Sequence, residues 1–352
     1  MNIVEFPKLG WSFDINPEAF KIFGLSFRWY AIIIAVGLWL AVTYCFPKIR
    51  KNGIDDDKAF DCILAGVIGA IIGARVYYVI MTLDEYEWTI GRFFSYRQGG
   101  LAIYGGIIGA VLFAYIMARI RKIKFIPLLD IAASGFFLGQ CIGRWGNFFN
   151  QEAFGSNTDL PWGMSSQRIY NYLMYNQSSI FAETGVWVQP EMPVHPTFLY
   201  ESLWCLIGFL ILHFFSKRRK FDGECILFYC LWYGTGRAFI EGLRTDSLMM
   251  GGMRASQVLA IITAAAALVL IIVLRQRAIK NNIPLYKDTE IGKATTAECI
   301  RRDEEEKELT AKRKAEKKAL KEKAQTLKAE EKIVMDDEPS ENEEIEENDK
   351  SE

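Results

Sequence analysis

Histidine is almost absent from this chain: its 352 residues hold two, His195 and His213. The seven cysteines form neither a CxxC pair nor a Cys/His cluster, which argues against structural zinc and against a disulfide framework. No nucleotide-binding motif is present either, so the sequence predicts neither metal nor cofactor. Before the first apolar run, Pro7, Gly10 and Pro17 replace the basic-then-apolar build of a cleaved signal peptide. An excess of charge is lacking too: 41 Lys and Arg stand against 42 Asp and Glu, a net charge of -1. That balance gives no argument for a nucleic-acid partner.

What is abundant is apolar sequence, 51% of the chain, concentrated in residues 26–275. It recurs in stretches of about 20 residues, the length a helix needs to cross hydrocarbon. The expected fold class is therefore all-α: a polytopic membrane protein with about seven transmembrane helices. The spans fall near residues 28–46, 59–81, 98–119, 125–150, 195–215, 224–243 and 255–274. Gly66, Gly69 and Gly73 in the second favour close helix packing, and Gly99, Gly100, Gly105 and Gly106 invite a close backbone approach or the same packing. Residues 151–194 are too long and too aromatic for a plain linker and predict a small folded arm at the membrane surface. The expected division is a membrane body over residues 1–282 and a tail over 283–352. Within the tail, 301–333 read as a charged helix and 336–352 as acidic and disordered.

Basic residues follow the first, third, fifth and seventh spans, as in Lys48, Arg50 and Lys51, in Arg119, Arg121 and Lys122, in Lys217 to Lys220, and in Arg275 and Arg277. Positive-inside bias then puts the N-terminus and the arm outside, on the periplasmic side, and the tail in the cytoplasm.

Within the spans lie polar groups that hydrocarbon tolerates only with partners. Residues 143–155 close the fourth span with Arg144, Asn147, Asn150 and Glu152. The first three recur at helical spacing and can share a face. The plainer alternative is an Arg144–Glu152 pair that holds a helix end. Arg75 sits inside the second span and is expected to face the protein interior. Tyr233, Arg237 and Glu241 follow one another at four-residue spacing, placing a phenol, a guanidinium and a carboxylate on one helix face. His195, beside Pro196, reads as a cap or packing residue, and His213 as structural. Arginine's planar fork suits phosphate oxygens, so the expected ligand is a phosphate-bearing lipid. The same groups would serve an enzyme or a lipid or anion transporter.

Residues 143–155 closely resemble the defining motif of bacterial prolipoprotein diacylglyceryl transferases. The agreement extends to Arg28, Trp29 and Tyr30, to Gly73, Ala74 and Arg75, to residues 99–106, to residues 195–201, and to Tyr233, Arg237 and Glu241. The resemblance implies a seven-span enzyme of the bacterial inner membrane. It would move the diacylglyceryl group of phosphatidylglycerol onto the thiol of the lipobox cysteine in a prolipoprotein signal peptide. Glycerol 1-phosphate would leave, in the first step of lipoprotein maturation. The functional positions it implies are Tyr30, Arg144, Asn147, Glu152, Gly155, Tyr233, Arg237 and Glu241, with Arg75 also expected to bind substrate. One departure stands out: where many members have His-Gly-Gly, this chain has Tyr104, Gly105 and Gly106. On this reading Arg144 and Arg237 hold phosphate and Asn147 orients the glycerol or headgroup. Glu152 and Glu241 position the arginines. The thiol, with a pKa of about 8.5, gives its proton to Tyr104 or to one of those two carboxylates.

Overall fold

The computed structural model describes residues 3–84, 89–95, 99–245, 249–250 and 253–336. Gln98 and the acidic residues 337–352 lie outside the described residues. The chain divides into two compact units, Met1–Thr296 and Ala297–Glu352.

Short strands, not anticipated from the turn-rich composition, open the first unit. β1 (Ile3–Phe6) and β2 (Trp11–Asp14) form one antiparallel hairpin, and β3 (Glu18–Ile22) and β4 (Leu25–Arg28) form another. Four helices follow that are long or central to the body: α1 (Trp29–Lys51), α2 (Asp56–Met81), α4 (Ile103–Arg121) and α5 (Phe125–Asn150), with the single turn α3 (Ile90–Phe93) before α4. The arm contributes β5 (Ser165–Ser166), which pairs with β1, and α6 (Gln167–Thr184). Then come α7 (Thr197–Phe215), α8 (Glu224–Glu241), the small pair β6 (Met249–Met250) and β7 (Met253–Arg254), and α9 (Ala255–Lys280). The charged α10 (Glu290–Asp336) begins within the first unit, and its residues from Ala297 onward are the described part of the second.

Among the described residues, six helices are long and apolar enough to cross a membrane: α1, α2, α4, α5, α7 and α9. The remaining expected span corresponds in position to α8, which carries Glu224, Arg237 and Glu241 and is not one of the six. The fold is the expected mostly helical, multi-pass membrane architecture. Its outward residues are apolar, as Ile34, Leu38 and Trp39 on α1 and Ile262, Val269 and Ile272 on α9 are all exposed. In water such a surface would aggregate; in lipid it is solvated.

α5 is the axis of the body. It packs against α1, α7 and α8 and is more deeply buried than α1 or α9. α2 and α4 form a separate, closely crossed pair. A Cβ on Gly73 would collide with the Gly105 carbonyl, and one on Gly69 with the Gly109 carbonyl and the Phe113 side chain. Gly69 and Gly73 of the first set and Gly105 of the second thus serve backbone-to-backbone packing, whereas Gly99 and Gly100 lie in the loop before α4 with positive φ.

Ser166 caps α6 by accepting the Ile169 N–H at 3.2 Å, and Ile169, Leu173 and Ile180 pack with Val4, Phe6, Val194 and Phe198. This second small core ties the N-terminal hairpin to the arm. At the other end of the body, Asp130 of α5 accepts the N–H groups of Gly223 (2.8 Å), Cys225 (3.0 Å) and Ile226 (3.0 Å), satisfying donors that the start of α8 leaves without helical partners. Beyond α9 the chain stays docked: Asp222 accepts the Tyr286 N–H at 2.7 Å and the Thr296 hydroxyl donates to the Arg50 carbonyl at 3.0 Å.

Candidate active site

α5 ends where Gln151 adopts φ 50° and Ala153 φ 56°. Two left-handed non-glycine residues so close together turn the chain back on itself. Glu152 is thereby folded under the last helical turns, accepting Asn147 Nδ2 at 3.1 Å and Asn150 Nδ2 at 3.0 Å. Among the described residues no cation pairs with it. The Arg144–Glu152 pairing offered by the sequence is therefore replaced, and so is the expectation that Glu152 positions an arginine. Arg144 instead points across the helix interface, and its Nη2 meets Glu201 Oε2 of α7 at 2.5 Å.

Glu201 is 3% exposed and gathers two further guanidiniums, Arg237 Nη1 at 3.0 Å and Arg244 Nη1 at 3.6 Å. The four-residue spacing within α8 does produce its own pair, Arg237 Nη2 to Glu241 Oε2 at 2.6 Å. Glu241 lies 4.0 Å from Arg244 Nε, accepts from the Ser256 hydroxyl, and has its backbone carbonyl taken by Arg254. Three arginines against two glutamates, 3 − 2, leave the cluster of Arg144, Arg237, Arg244, Glu201 and Glu241 with one net positive charge. Arg144 and Arg237 keep 19% and 18% of their side chains exposed, so the cluster has an open side. Partly dry guanidiniums with a positive excess attract an anion more strongly than the same groups in water.

Two aromatic groups border the arginines. Tyr233, one turn before Arg237, lies in the electrostatic neighbourhood of Arg144, Arg237 and Glu201. The Tyr30 ring covers Gly146, where a Cβ would meet it at 2.8 Å, and its charged neighbours are Glu152 and Arg144. Gly155 stitches the border together: its N–H donates to the His195 carbonyl at 2.9 Å, it bridges to Arg244, and a Cβ there would meet Leu243 O at 2.9 Å. Its requirement is for space, which a contact role toward ligand would share. The His195 ring meets the Tyr200 hydroxyl at 3.1 Å, and burial pushes its imidazole below the usual pKa.

A family model described as prolipoprotein diacylglyceryl transferase matches residues 17–273. The chain belongs to the prolipoprotein diacylglyceryl transferase family. The phosphatidylglycerol--prolipoprotein diacylglyceryl transferase of Clostridium novyi is 40% identical over 258 residues, covering 73% of this chain and 95% of that protein. Those of Listeria innocua and Clostridioides difficile are 39% and 37% identical, over 79% and 75% of this chain and 96% and 97% of their own lengths. The whole arginine cluster falls inside the matched stretch.

Two further residues expected in the diacylglyceryl transferase site lie on α2 and α4. Arg75 is indeed interior, 3% exposed. Its guanidinium donates to the carbonyls of Phe93 (2.8 Å), Gly99 (2.9 Å), Gly100 (2.8 Å) and Arg92 (2.5 Å), so it anchors the loop before α4. Tyr104 sits on the first turn of α4, 37% exposed, and among the described residues its hydroxyl meets no hydrogen-bond partner. α4 packs chiefly on α2.

Sequence reasoning missed Arg244 and, at the centre of the cluster, Glu201. Its signal was available as a carboxylate one turn inside a strongly apolar span. Its three partners, however, lie in other elements.

Proposed function

We propose that this protein transfers the diacylglyceryl group of phosphatidylglycerol to the thiol of a prolipoprotein's lipobox cysteine. What carries this reading is the convergence of Arg144, Arg237 and Arg244 on one buried carboxylate at membrane depth, within a chain of this family. The headgroup phosphate would enter on the open side, with Arg144 and Arg237 turning part of their forks from Glu201 to phosphate oxygens. Glu201 and Glu241 would hold both guanidiniums aimed, which removes reorganisation from the chemical step.

The reaction is a substitution at the glycerol carbon that carries the phosphate. The cysteine sulfur forms a bond to that carbon as the carbon–oxygen bond breaks, and glycerol 1-phosphate departs with the electron pair. The arginines neutralise the charge gathering on it. The thiol proton goes to a base, and Glu152 suits that role best of the three groups considered. It is held by two amides that leave its charge intact, whereas Glu241 is tied to Arg237 and Ser256 and Tyr104 lies on α4. Asn147 then positions both the carboxylate and the headgroup, and Tyr30, Gly155 and Tyr233 bound the pocket.

The distribution of Lys and Arg among the connections supports a location in the bacterial inner membrane with the N-terminus and arm periplasmic and the tail cytoplasmic. Purified protein incubated with phosphatidylglycerol and a lipobox peptide is expected to yield a thioether-linked diacylglyceryl peptide. Folded protein that moves phosphatidylglycerol between leaflets and makes no thioether would replace this reading with transport.

A further inference from the structure

The two N-terminal hairpins differ in what covers their apolar faces. In the first, Val4 and Phe6 enter the core shared with α6, and Phe13 packs edge-on to Phe6 at 6.2 Å. In the second, strands β3 and β4 pair Phe20 with Phe27 and Ile22 with Leu25, which places these four on one face. Lys21 opposite Ser26 occupies the other face. The apolar four are 40–47% exposed and none joins a core cluster among the described residues. The Phe20 and Phe27 rings stack at 4.9 Å, so the face is preformed.

The tip is odder still. Phe23 is 99% exposed and adopts φ 49°, followed by Gly24 at φ 74°. Two consecutive residues of positive φ make the turn that suits a hairpin's twist, and its first position ordinarily takes Asn, Asp or Gly. A bulky side chain there is both strained and, in water, unfavourably hydrated. Such an outlier points to a use for the side chain rather than for the turn.

The base of the hairpin says where it lies. β4 runs into α1 with no linker, and the Trp29 N–H donates to the Pro17 carbonyl at 3.0 Å, closing the loop onto the end of a candidate span. Trp29 itself packs on Phe149 at 5.5 Å, at the end of α5 that carries Asn147 and Arg144. A short amphipathic element joined to a span's end lies at the depth where the chain leaves hydrocarbon.

We propose that residues 18–28 form an interfacial blade whose Phe20, Ile22, Phe23, Leu25 and Phe27 insert into the lipid leaflet that surrounds the mouth of the arginine cluster. The occupant of this face is lipid. The inference does not depend on which reaction the cluster performs. To test it, benzoylphenylalanine would replace Phe23 or, as the opposite-face control, Lys21 in the full chain reconstituted into vesicles of phosphatidylglycerol and phosphatidylethanolamine. After irradiation, mass spectrometry is expected to find lipid adducts several-fold enriched at position 23 over position 21. Equal lipid labelling at the two positions, or adducts at position 23 only to protein from the same or a second copy, would overturn the proposal. Both sites are exposed, so neither substitution threatens the fold.

Discussion

Asp130 near the start of α5 and Arg144 near its end lie roughly 20 Å apart along the helix, and each belongs to a buried group of arginines and carboxylates. Around Asp130 the carboxylate oxygens are filled by three backbone N–H groups, with Arg219 Nε a distant 3.7 Å away. Glu224 beside it accepts the Lys220 N–H at 2.5 Å and pairs with Arg275. Around Glu201 the partners are side chains, and the guanidiniums remain partly open. The same residue types therefore do different work. Where backbone donors fill a carboxylate, it fastens a helix end; where movable cations fill it, it can release them to a competing anion.

The largest effect is expected where that contrast is attacked at its open end. Arg144→Lys, and equally Arg237→Lys, should lower thioether formation by about a hundredfold or more, as does removal of one transition-state donor elsewhere. An ammonium keeps the charge but not the bidentate fork. Rates measured on protein whose melting temperature is unchanged would test this, and normal turnover would place phosphate elsewhere. Next comes the fastened end. Asp130→Asn removes a charged acceptor from three N–H groups and should cost about 2 kcal/mol of stability, while turnover per folded molecule stays at the parent rate. A variant that melts normally but turns over slowly would break the comparison, by bringing Asp130 into the chemistry.

A smaller effect separates the docked segment from the rest of the tail. Deleting residues 297–352 should leave both melting temperature and turnover unchanged. Deleting 283–352 also removes the Tyr286–Asp222 and Thr296–Arg50 hydrogen bonds and should lower stability by roughly 1–3 kcal/mol. Differential scanning of the two truncated proteins distinguishes them. The smallest effect is expected at Tyr104, which belongs to neither polar group. Tyr104→Phe should change the rate by far less than the roughly hundredfold that removal of a general base costs. A loss of that size, restored by Tyr104→His, would move the proton acceptor from Glu152 to α4.

Much of this was legible because the signals were local. Apolar runs set the helices, and the Arg237–Glu241 pair follows from four-residue spacing. The glycines of α2 and α4 announced close packing, and Arg75 was correctly turned inward. What was not legible depends on elements meeting. Glu201 lies 36 residues from Arg237, and nothing in either helix names the other. Glu152 sits close enough in sequence to Arg144 to suggest a pair, yet the positive φ angles at Gln151 and Ala153 aim it at two asparagines. The four carbonyls that hold Arg75 carry no sequence signature at all, since any residue supplies one. The strands of the N-terminus were missed because each is only four or five residues long.

The crossing of α2 and α4 bears on how such a body is assembled. Their glycines bring backbone against backbone with little side-chain sorting, and the two helices are close neighbours in the chain. Contacts between near neighbours incur little loop-closure entropy and form early. During synthesis this pair can close before α7 and α8 have emerged, which is to say before Glu201 and Arg237 exist. The ion cluster is thus the latecomer, completed against a scaffold already standing. Errors in α2 or α4 should therefore surface as failed insertion or degradation rather than as a slow enzyme.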